Sequence, residues 1–203
     1  MKQYVKIVVV FVAVLYAPKT SLANIFGNGI DNAFEALEIH DYFKAKKLFY
    51  KNLKRKPAAS SYGLSIIYSR NNNPFYNLDS SLHYAQYSVK HYFHQTSQKH
   101  KEKIKPLGID TVSVCALVDK VDELCFFAAK QKNSIESYNH FIKNNKTALQ
   151  LNQAIKNRNE LAYKEVMKNN TSYSYKKFIE TYPRAEQVND AKARYDKQLF
   201  KEY

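Results

Sequence analysis

The sequence contains few of the residues that interrupt helices. Of its 203 residues, four are glycine and five are proline. A many-stranded sandwich or barrel needs turn residues every roughly 8–12 residues, and this chain does not supply them. Hydrophobic residues make up 45% of the chain and charged residues 25%, which is ordinary for a folded protein. We therefore predict an all-α fold.

Cysteine is also scarce, and its placement excludes a disulfide framework. The two cysteines, Cys115 and Cys125, both fall in the stretch IDTVSVCALVDKVDELCFFAAK, which is predicted to be one helix. Ten residues of helix separate them by about 15 Å along the axis. A disulfide needs Cα atoms closer than about 7 Å, so the two cannot pair with each other. We predict two free thiols buried at a helix interface.

Motifs of common enzymes and metal sites are missing from the sequence. It has no glycine-rich phosphate loop, no Gly-x-Ser-x-Gly, no His-Glu-x-x-His and no Cys-x-x-Cys. His91 and His94 are one helical turn apart, but no nearby carboxylate or thiol completes a metal-binding set. We predict no catalytic residue, no metal site and no cofactor.

Residues 1–23 have the pattern of a secretory signal peptide. Lys2 and Lys6 precede an apolar run at 7–17, and Ser21-Leu22-Ala23 follows as a small-x-small cleavage site. We predict cleavage between Ala23 and Asn24, with an uncleaved anchor as the alternative. Because no cysteine lies near this site, a lipoprotein is not expected. The protein is predicted to be exported.

The charge balance is strongly basic. The formal net charge is +14, and loss of the predicted signal peptide removes three lysines and no acids, leaving +11. Such a balance often indicates nucleic acid, but export makes nucleic acid an unlikely partner. Anionic lipid, lipopolysaccharide, an acidic wall polymer or an acidic protein fits better. A lysine-rich solvated surface without a dedicated ligand is the simpler interpretation.

Two helical lobes are predicted, at 24–95 and 109–203, with a basic linker at 96–108. Four lysines of the linker are the candidates for contact with an anionic surface, although a solvated hinge is the default interpretation. They are Lys99, Lys101, Lys103 and Lys105. In the second lobe, a helix at 110–130 carries a buried stripe at three- and four-residue spacings. The stripe consists of Val114, Leu117, Val121, Leu124 and Ala128.

The first lobe is predicted to begin with a helical hairpin at 31–57. A short break near His40-Asp41 separates its two helices. The triplet Lys54-Arg55-Lys56 precedes Pro57 and is assigned to the last helical turn, where cations favour the negative end of the helix dipole. A binding patch is the alternative for this triplet. Further helices are predicted at 58–70 and 79–93.

The second lobe contains an internal sequence repeat. Residues 124–157 align without gaps over 161–194 at an offset of 37, which defines repeat units 124–160 and 161–197. The identical pairs are Leu124/Leu161, Asn133/Asn170, Ser137/Ser174, Tyr138/Tyr175, Phe141/Phe178, Ile142/Ile179, Ala148/Ala185, Gln150/Gln187, Asn152/Asn189 and Ala154/Ala191. Most are large apolar or small packing residues. A period in the thirties built from two helices is typical of an α-solenoid.

These residues also carry a family resemblance. Tyr175-x-x-Phe178-Ile179-x-x-Tyr182-Pro183, followed by Ala185 and Ala191, resembles the tetratricopeptide-like repeats of periplasmic outer-membrane-assembly and cell-envelope proteins, with the Bacteroidetes type most similar in composition. In the first hairpin, Ala45, Phe49 and Pro57 keep the spacing of such a unit. Gly29 and Asn32 depart from it, as does Asn145-Lys146 where the second copy has Tyr-Pro.

The resemblance implies stacked antiparallel helical hairpins and a non-catalytic scaffold that binds a peptide or partner protein in the bacterial periplasm or outer envelope. Two other functions remain open. One is a basic module docking on anionic lipid, lipopolysaccharide or wall polymer, and the other is the amino-terminal part of a longer envelope protein. The repeated residues are expected to pack, so recognition is expected from residues that differ between the copies.

Overall fold

The computed structural model describes residues 29–94 and 96–202, and within them every regular element is helical. The prediction of an all-α fold is confirmed. The α-helices are α1 (Ile30–Glu38), α2 (Tyr42–Asn52), α3 (Pro57–Ser69), α4 (Leu78–His94), α5 (Gln98–Ile104), α6 (Thr111–Lys132), α7 (Ile135–Asn144), α8 (Leu151–Asn169), α9 (Ser172–Thr181) and α10 (Val188–Glu202). A short 3₁₀ helix, Lys105–Leu107, follows α5. The predicted signal peptide and its Ala23–Asn24 cleavage site lie outside the described residues.

Polar side chains set where several helices begin. Asp110, Ser134 and Thr171 each accept a hydrogen bond from the backbone N–H three residues on, and in each case a serine at that position bonds back to the cap. These reciprocal bonds satisfy N–H groups that have no partner inside the helix. Asn133 and Asn170 end the preceding long helices in the left-handed conformation, with φ of 46° and 49°.

The amino-terminal helices pack around Phe49 of α2. Phe49 is fully buried and meets the ring of Phe34 in α1 edge to face, with centroids 4.9 Å apart. On its other side lies Gly63 of α3, where an added Cβ would lie 2.1 Å from the Phe49 Cζ. The absence of a side chain at Gly63 therefore allows α3 to approach α2 closely. The predicted break between α1 and α2 is present, with Asp41 as the cap of α2.

The basic triplet does not belong to a helix end. Helix α2 ends at Asn52, and Pro57 is the first residue of α3 rather than the residue that stops α2. Lys54, Arg55 and Lys56 therefore form the connection between the two helices. The assignment of these cations to the last turn of a helix was wrong, because Pro57 supplies the φ angle that the first helical position prefers.

The segment predicted as a linker is largely helical and packs on the first core. It contains α5 and the 3₁₀ helix, and Ile104 is buried in the same apolar cluster as Phe49 and Leu64. Ile104, which lies between Lys103 and Lys105, and Ile109 are both buried, which ties this segment to the helices before it.

The two predicted lobes meet through a shared apolar cluster. Leu82 and Ala85 of α4 pack with Leu117 and Val121 of α6. Val114, Leu117 and Val121 of the predicted stripe are buried, whereas Leu124 and Ala128 are only half-buried. The carboxyl-terminal half of α6 is thus less covered than the pattern predicted.

The 37-residue offset recurs in the helices themselves. The bounds of α9 are those of α7 moved by 37 residues, and α10 begins 37 residues after α8. The buried residues correspond as well, and the pairs are Tyr138/Tyr175, Phe141/Phe178, Ala148/Ala185 and Ala154/Ala191. The carboxyl-terminal helices are therefore a helical repeat in structure, with long helices (α6, α8, α10) alternating with short ones (α7, α9).

The two cysteines are free and lie in one continuous helix, as predicted, but only one lies at an interface. Cys125 is half-buried, whereas Cys115 is exposed. The prediction that both are buried was wrong, because Cys115 shares a face of α6 with Val112, Ala116 and Asp119, and all three are exposed. None of the described helices is both long enough and apolar enough to span a bilayer.

Candidate functional site

A groove of about 550 Å³ opens where α6, α7 and the start of α4 meet. We call it the first groove. Leu78 and Asp79 of α4 form one wall, Cys125 and Ala128 of α6 form the floor, and Phe141 of α7 lies opposite. The groove thus combines half-buried apolar surface with polar groups at its rim, which is the usual composition of a ligand site.

A polar contact between two helices borders the first groove. His140 Nε2 of α7 lies 2.7 Å from Asp79 Oδ1 of α4, and both side chains are largely exposed. Nearby, Gln86 Nε2 of α4 donates to the carbonyl oxygen of Asn144 at 3.3 Å. These bonds hold α7 against the amino-terminal helices. Because they are solvated, they contribute more to the shape of the groove than to stability.

Beneath the floor lies a buried carboxyl group. Asp122 is 2% exposed, and its Oδ1 accepts a hydrogen bond of 2.7 Å from Asn145 Nδ2. Burial raises the pKa of Asp122 above its ordinary value, the bond from Asn145 opposes that shift, and Asp119 adds to it. Asn145 lines the groove and ends α7, so the pair links the floor of the groove to the end of that helix.

The first groove contains a thiol, an imidazole and a carboxylate, but it does not supply a thiolate. Burial raises the pKa of Cys125 to about 11, with Asp122 and Asp79 adding to the shift and a hydrogen bond with Asn145 opposing it. A nucleophilic cysteine needs a lowered pKa, from a cation or a helix amino terminus. Cys125 therefore remains a neutral thiol near pH 7, and the groove suits binding better than covalent catalysis.

A second groove, of about 610 Å³, lies at the same place one repeat later. Eight residues of its lining stand 37 positions after residues of the first groove. The pairs are Cys125/Ala162, Ala128/Glu165, Ala129/Val166, Lys132/Asn169, Ser137/Ser174, His140/Lys177, Phe141/Phe178 and Asn145/Tyr182. Helix α8 supplies the floor and α9 the wall. Only Ser and Phe are identical, so the grooves share position and differ in chemistry.

The buried polar pair of the first groove is replaced in the second. Asn159, which is 6% exposed, stands at the position of Asp122, and Tyr182 stands at the position of Asn145. Arg158 Nη2 donates to Asn159 Oδ1 at 2.8 Å, and its guanidinium lies 4.8 Å from the centre of the Tyr182 ring. A stacked cation thus takes the place of a buried acid.

A further depression of about 520 Å³ adjoins the first groove and shares Tyr76 with it. Leu124 of α6 lines it, one helical turn before Ala128. Its other side is the polar connection between α3 and α4, where Tyr42 Oη donates to Asn72 Oδ1 at 3.1 Å. Together the two openings form a longer surface along α6, which explains why Leu124 and Ala128 are only half-buried.

The four lysines proposed for an anionic surface do not form one patch. Lys99, Lys101 and Lys103 lie in α5 and Lys105 in the 3₁₀ helix. Alternate residues of a helix point about 200° apart, so neighbours in this set face different sides. Lys101 Nζ lies 4.9 Å from the centre of the Tyr92 ring. The segment presents its charges on at least two faces.

His91 and His94, the two histidines one helical turn apart, lie in different surroundings. His91 is buried against Tyr87, with ring centroids 4.0 Å apart, whereas His94 is exposed. Among residues 29–94 and 96–202, no group of three or more His, Cys, Asp or Glu side chains is placed to hold a metal ion.

No protein-family model, no curated protein and no solved structure matches the chain. The described residues form an all-α protein with a helical repeat, in which two grooves lie at equivalent positions.

Proposed function

We propose that this protein is an exported, non-catalytic scaffold of the bacterial cell envelope that holds an extended segment of a partner protein. In this proposal the helical hairpins stack as a tetratricopeptide-like solenoid, and the two grooves are the binding surface. The observation that carries the proposal is the recurrence of the groove 37 residues later, with the packing residues kept and the lining changed.

The size and composition of the grooves support a peptide ligand. Their volumes of about 550 and 610 Å³ fall within the roughly 300–1,000 Å³ of typical ligand sites. Each has a buried phenylalanine, Phe141 or Phe178, next to polar side chains such as Asn145 or Thr181. An apolar anchor side chain would meet the half-buried apolar lining, which is Leu78 and Ala128 in the first groove and Ile135 and Val166 in the second. The exposed Gln131 and Thr181 side chains would bond the peptide backbone.

The residues that differ between the copies would set the preference of each groove. Ala128 leaves the floor of the first groove open, whereas Glu165 places a carboxylate there in the second. His140 is replaced by Lys177 at the rim. We infer that the first groove accepts the more apolar anchor and that the second accepts a residue carrying a positive charge or a hydrogen-bond donor.

Selection of peptides tests this proposal. The purified protein is panned against a display library of short unstructured peptides, and the affinities of the enriched peptides are measured by calorimetry. Ala128→Glu copies the residue of the second groove into the first and should weaken binding of peptides with apolar anchors at least tenfold. Ala116→Glu makes the same change at an exposed position of α6 outside the groove and should leave affinity within twofold. Failure to enrich any peptide, or equal effects of both variants, would refute the proposal.

Docking on an anionic lipid, lipopolysaccharide or wall polymer is the second candidate, supported by the net charge, which is +14 for the full chain and +11 after loss of the predicted signal peptide. Ionic strength separates the two. Exposed charge contacts weaken as salt is raised from about 50 to 300 mM, whereas an apolar groove keeps its ligand. Binding that survives this range favours the peptide scaffold. Export is tested by the mass of the mature protein, which should begin at Asn24.

A further inference from the structure

A small basic cavity lies outside the two grooves, at the connection between α2 and α3. Its volume is about 110 Å³, well above the roughly 10–15 Å³ that one water molecule requires. Two segments far apart in sequence build it. One is the turn before α3, with Arg55 and Lys56, and the other is the segment 96–104, with Thr96, His100 and Ile104.

The charge of the cavity lining is of one sign. Arg55, Lys56 and His100 line it, and none of its lining residues is an acid. His100 Nδ1 lies 2.9 Å from the hydroxyl oxygen of Ser97, which leaves Nε2 to meet a ligand. The guanidinium fork of Arg matches the oxygens of a phosphate or carboxylate, and lysine adds a mobile point charge.

The electrostatics of Lys56 agree with a place for an anion. Burial lowers the pKa of Lys56, Lys103 lowers it further, and Asp31 opposes the shift. The native fold thus holds an ammonium group in a partly desolvated position close to a second cation. Asp31 already favours the protonated lysine, and a negative ligand in the cavity would add a second opposite charge that favours it further.

The backbone beside these cations adds hydrogen-bond donors. Pro57, Ala58 and Ala59 line the cavity and form the first turn of α3, and none of the described side chains caps that turn. Proline has no N–H, so the donors that this turn offers are the N–H groups of Ala58 and Ala59, which have no acceptor within the helix. Ser60, in the same turn, has a buried hydroxyl group with no hydrogen-bond partner among the described residues.

We propose that this cavity binds a phosphate group, held by Arg55, Lys56 and His100. Two cationic side chains from one segment and an imidazole nitrogen from the other suit a tetrahedral oxyanion with several acceptor oxygens better than a planar carboxylate with two. The phosphate would come from a soluble phosphorylated compound or from the headgroup of an anionic phospholipid. This inference is independent of the peptide grooves, since the two sites share no lining residue.

Titration with inorganic phosphate tests the site directly. Amide chemical shifts of the purified protein are followed at constant ionic strength, with acetate as the competing anion. We expect saturable shifts at 55–60 and 96–104 with millimolar or tighter affinity, and only weak shifts with acetate. Equal responses to acetate and phosphate, or shifts that do not saturate, would overturn the proposal.

Two variants and a matched control locate the binding. Arg55→Gln and His100→Gln change exposed side chains, and the Arg55 variant should weaken phosphate binding at least tenfold. Lys192→Gln removes a charge from an exposed position of α10 and should change the affinity less than twofold. If Lys192→Gln weakens binding as much as Arg55→Gln, the protein merely attracts anions and the site does not exist.

Vesicles distinguish the two sources of phosphate. The protein is mixed with phosphatidylglycerol vesicles and, separately, with neutral phosphatidylcholine vesicles. If the protein binds the phosphatidylglycerol vesicles and Arg55→Gln abolishes that binding, the ligand is a lipid headgroup. Saturable binding of phosphate without vesicle binding identifies a soluble compound. Absence of both overturns the proposal and leaves the peptide grooves untouched.

Discussion

A single carboxyl group distinguishes the floor of the first groove from that of the second. Asp122 is buried with Asn145 as its hydrogen-bond partner, whereas the neutral Asn159 stands 37 residues later, at the equivalent place beside the second groove. Ionising a buried carboxyl group costs free energy unless strong partners compensate. Ionisation of Asp122 therefore lowers the stability of the folded protein, and a neutral asparagine, as at Asn159, would remove this cost.

We expect Asp122→Asn to stabilise the protein at pH 7. Burial raises the folded-state pKa of Asp122 above its unfolded value. Below the unfolded-state pKa both states bind the proton and the penalty is absent, and stability is lost as the pH rises through the folded-state pKa. The gain from Asp122→Asn should therefore be largest at pH 7 and shrink toward pH 4. Each 1 kcal/mol would raise the Tm by about 2–4 °C in a chain of this size.

Thermal unfolding at pH 7 and pH 4 measures this difference. Asp196→Asn makes the same change at an exposed position of α10 and should leave the Tm nearly constant at both pH values. A loss of stability in Asp122→Asn at pH 7 would mean that the ionised carboxylate is compensated by its surroundings. A gain of the same size at both pH values would mean that the effect has another cause than ionisation.

Only part of this residue-level detail could be predicted from sequence. The identical pairs of the repeat, such as Tyr138/Tyr175 and Phe141/Phe178, were expected to pack, and all four are buried. The Asp122–Asn145 pair was not foreseen, because pairing between residues 23 apart requires knowing how α6 and α7 cross. A signal was present, since the residues 37 positions later, Asn159 and Tyr182, differ from both members of the pair.

At the scale of helices, α2 and α3 are in close contact at Gly63. Gly63 lies in α3 against the ring of Phe49, and an added Cβ would overlap that ring. In an open helix, alanine is more stable than glycine by roughly 0.5–1 kcal/mol. Here the added methyl group would displace a fully buried side chain, and overpacking of this kind typically costs about 1–3 kcal/mol.

Gly63→Ala is therefore expected to destabilise the protein by about 1–2 kcal/mol, measured by urea unfolding with far-ultraviolet circular dichroism. Phe49→Leu should destabilise the protein by itself, but it makes room at this contact. The cost of Gly63→Ala should consequently be smaller in the Phe49→Leu background. Equal costs in both backgrounds would show that Gly63 is not constrained by the ring of Phe49.

Helices were easier to predict than the connections between them. Helix starts at Asp110, Ser134 and Thr171 follow from local capping chemistry, which is written in consecutive residues. The segment 96–108 was expected to be a linker because it is rich in lysine and lacks a clear apolar stripe. Its helix depends instead on tertiary burial of Ile104 and Ile109, which a local pattern does not reveal.

The whole molecule combines a repeat with a non-repeating amino-terminal core. The offset of 37 predicted equivalent helices in the second lobe, and the recurrence of the groove follows from that equivalence. The size of the grooves was not predictable, because it depends on how far each short helix leans from the preceding long one. The contact between the two lobes could not be predicted from the sequence repeat either, because the basic segment separates α4 from α6 along the chain.

The cluster of Leu82, Ala85, Leu117 and Val121 makes the two predicted lobes interdependent. Val121 is fully buried, so Val121→Ala removes two methyl groups from this contact and should cost about 2 kcal/mol. The loss should be felt on both sides of the cluster. Hydrogen exchange at increasing urea should show peptides of α3–α4 and of α6–α7 opening at the same, lowered midpoint.

The control for this experiment is Val112→Ala, at a position of α6 that is 75% exposed. It removes the same two methyl groups from the same helix without touching the shared cluster and should leave both midpoints nearly unchanged. Independent lobes would behave differently: Val121→Ala would then lower the midpoint of α6–α7 alone, and α3–α4 would keep the stability of the unaltered protein. Because α4 and α6 pack directly on each other, we expect one cooperative unit that spans the basic segment, and the first groove should be lost together with the amino-terminal core that supplies its Asp79 wall.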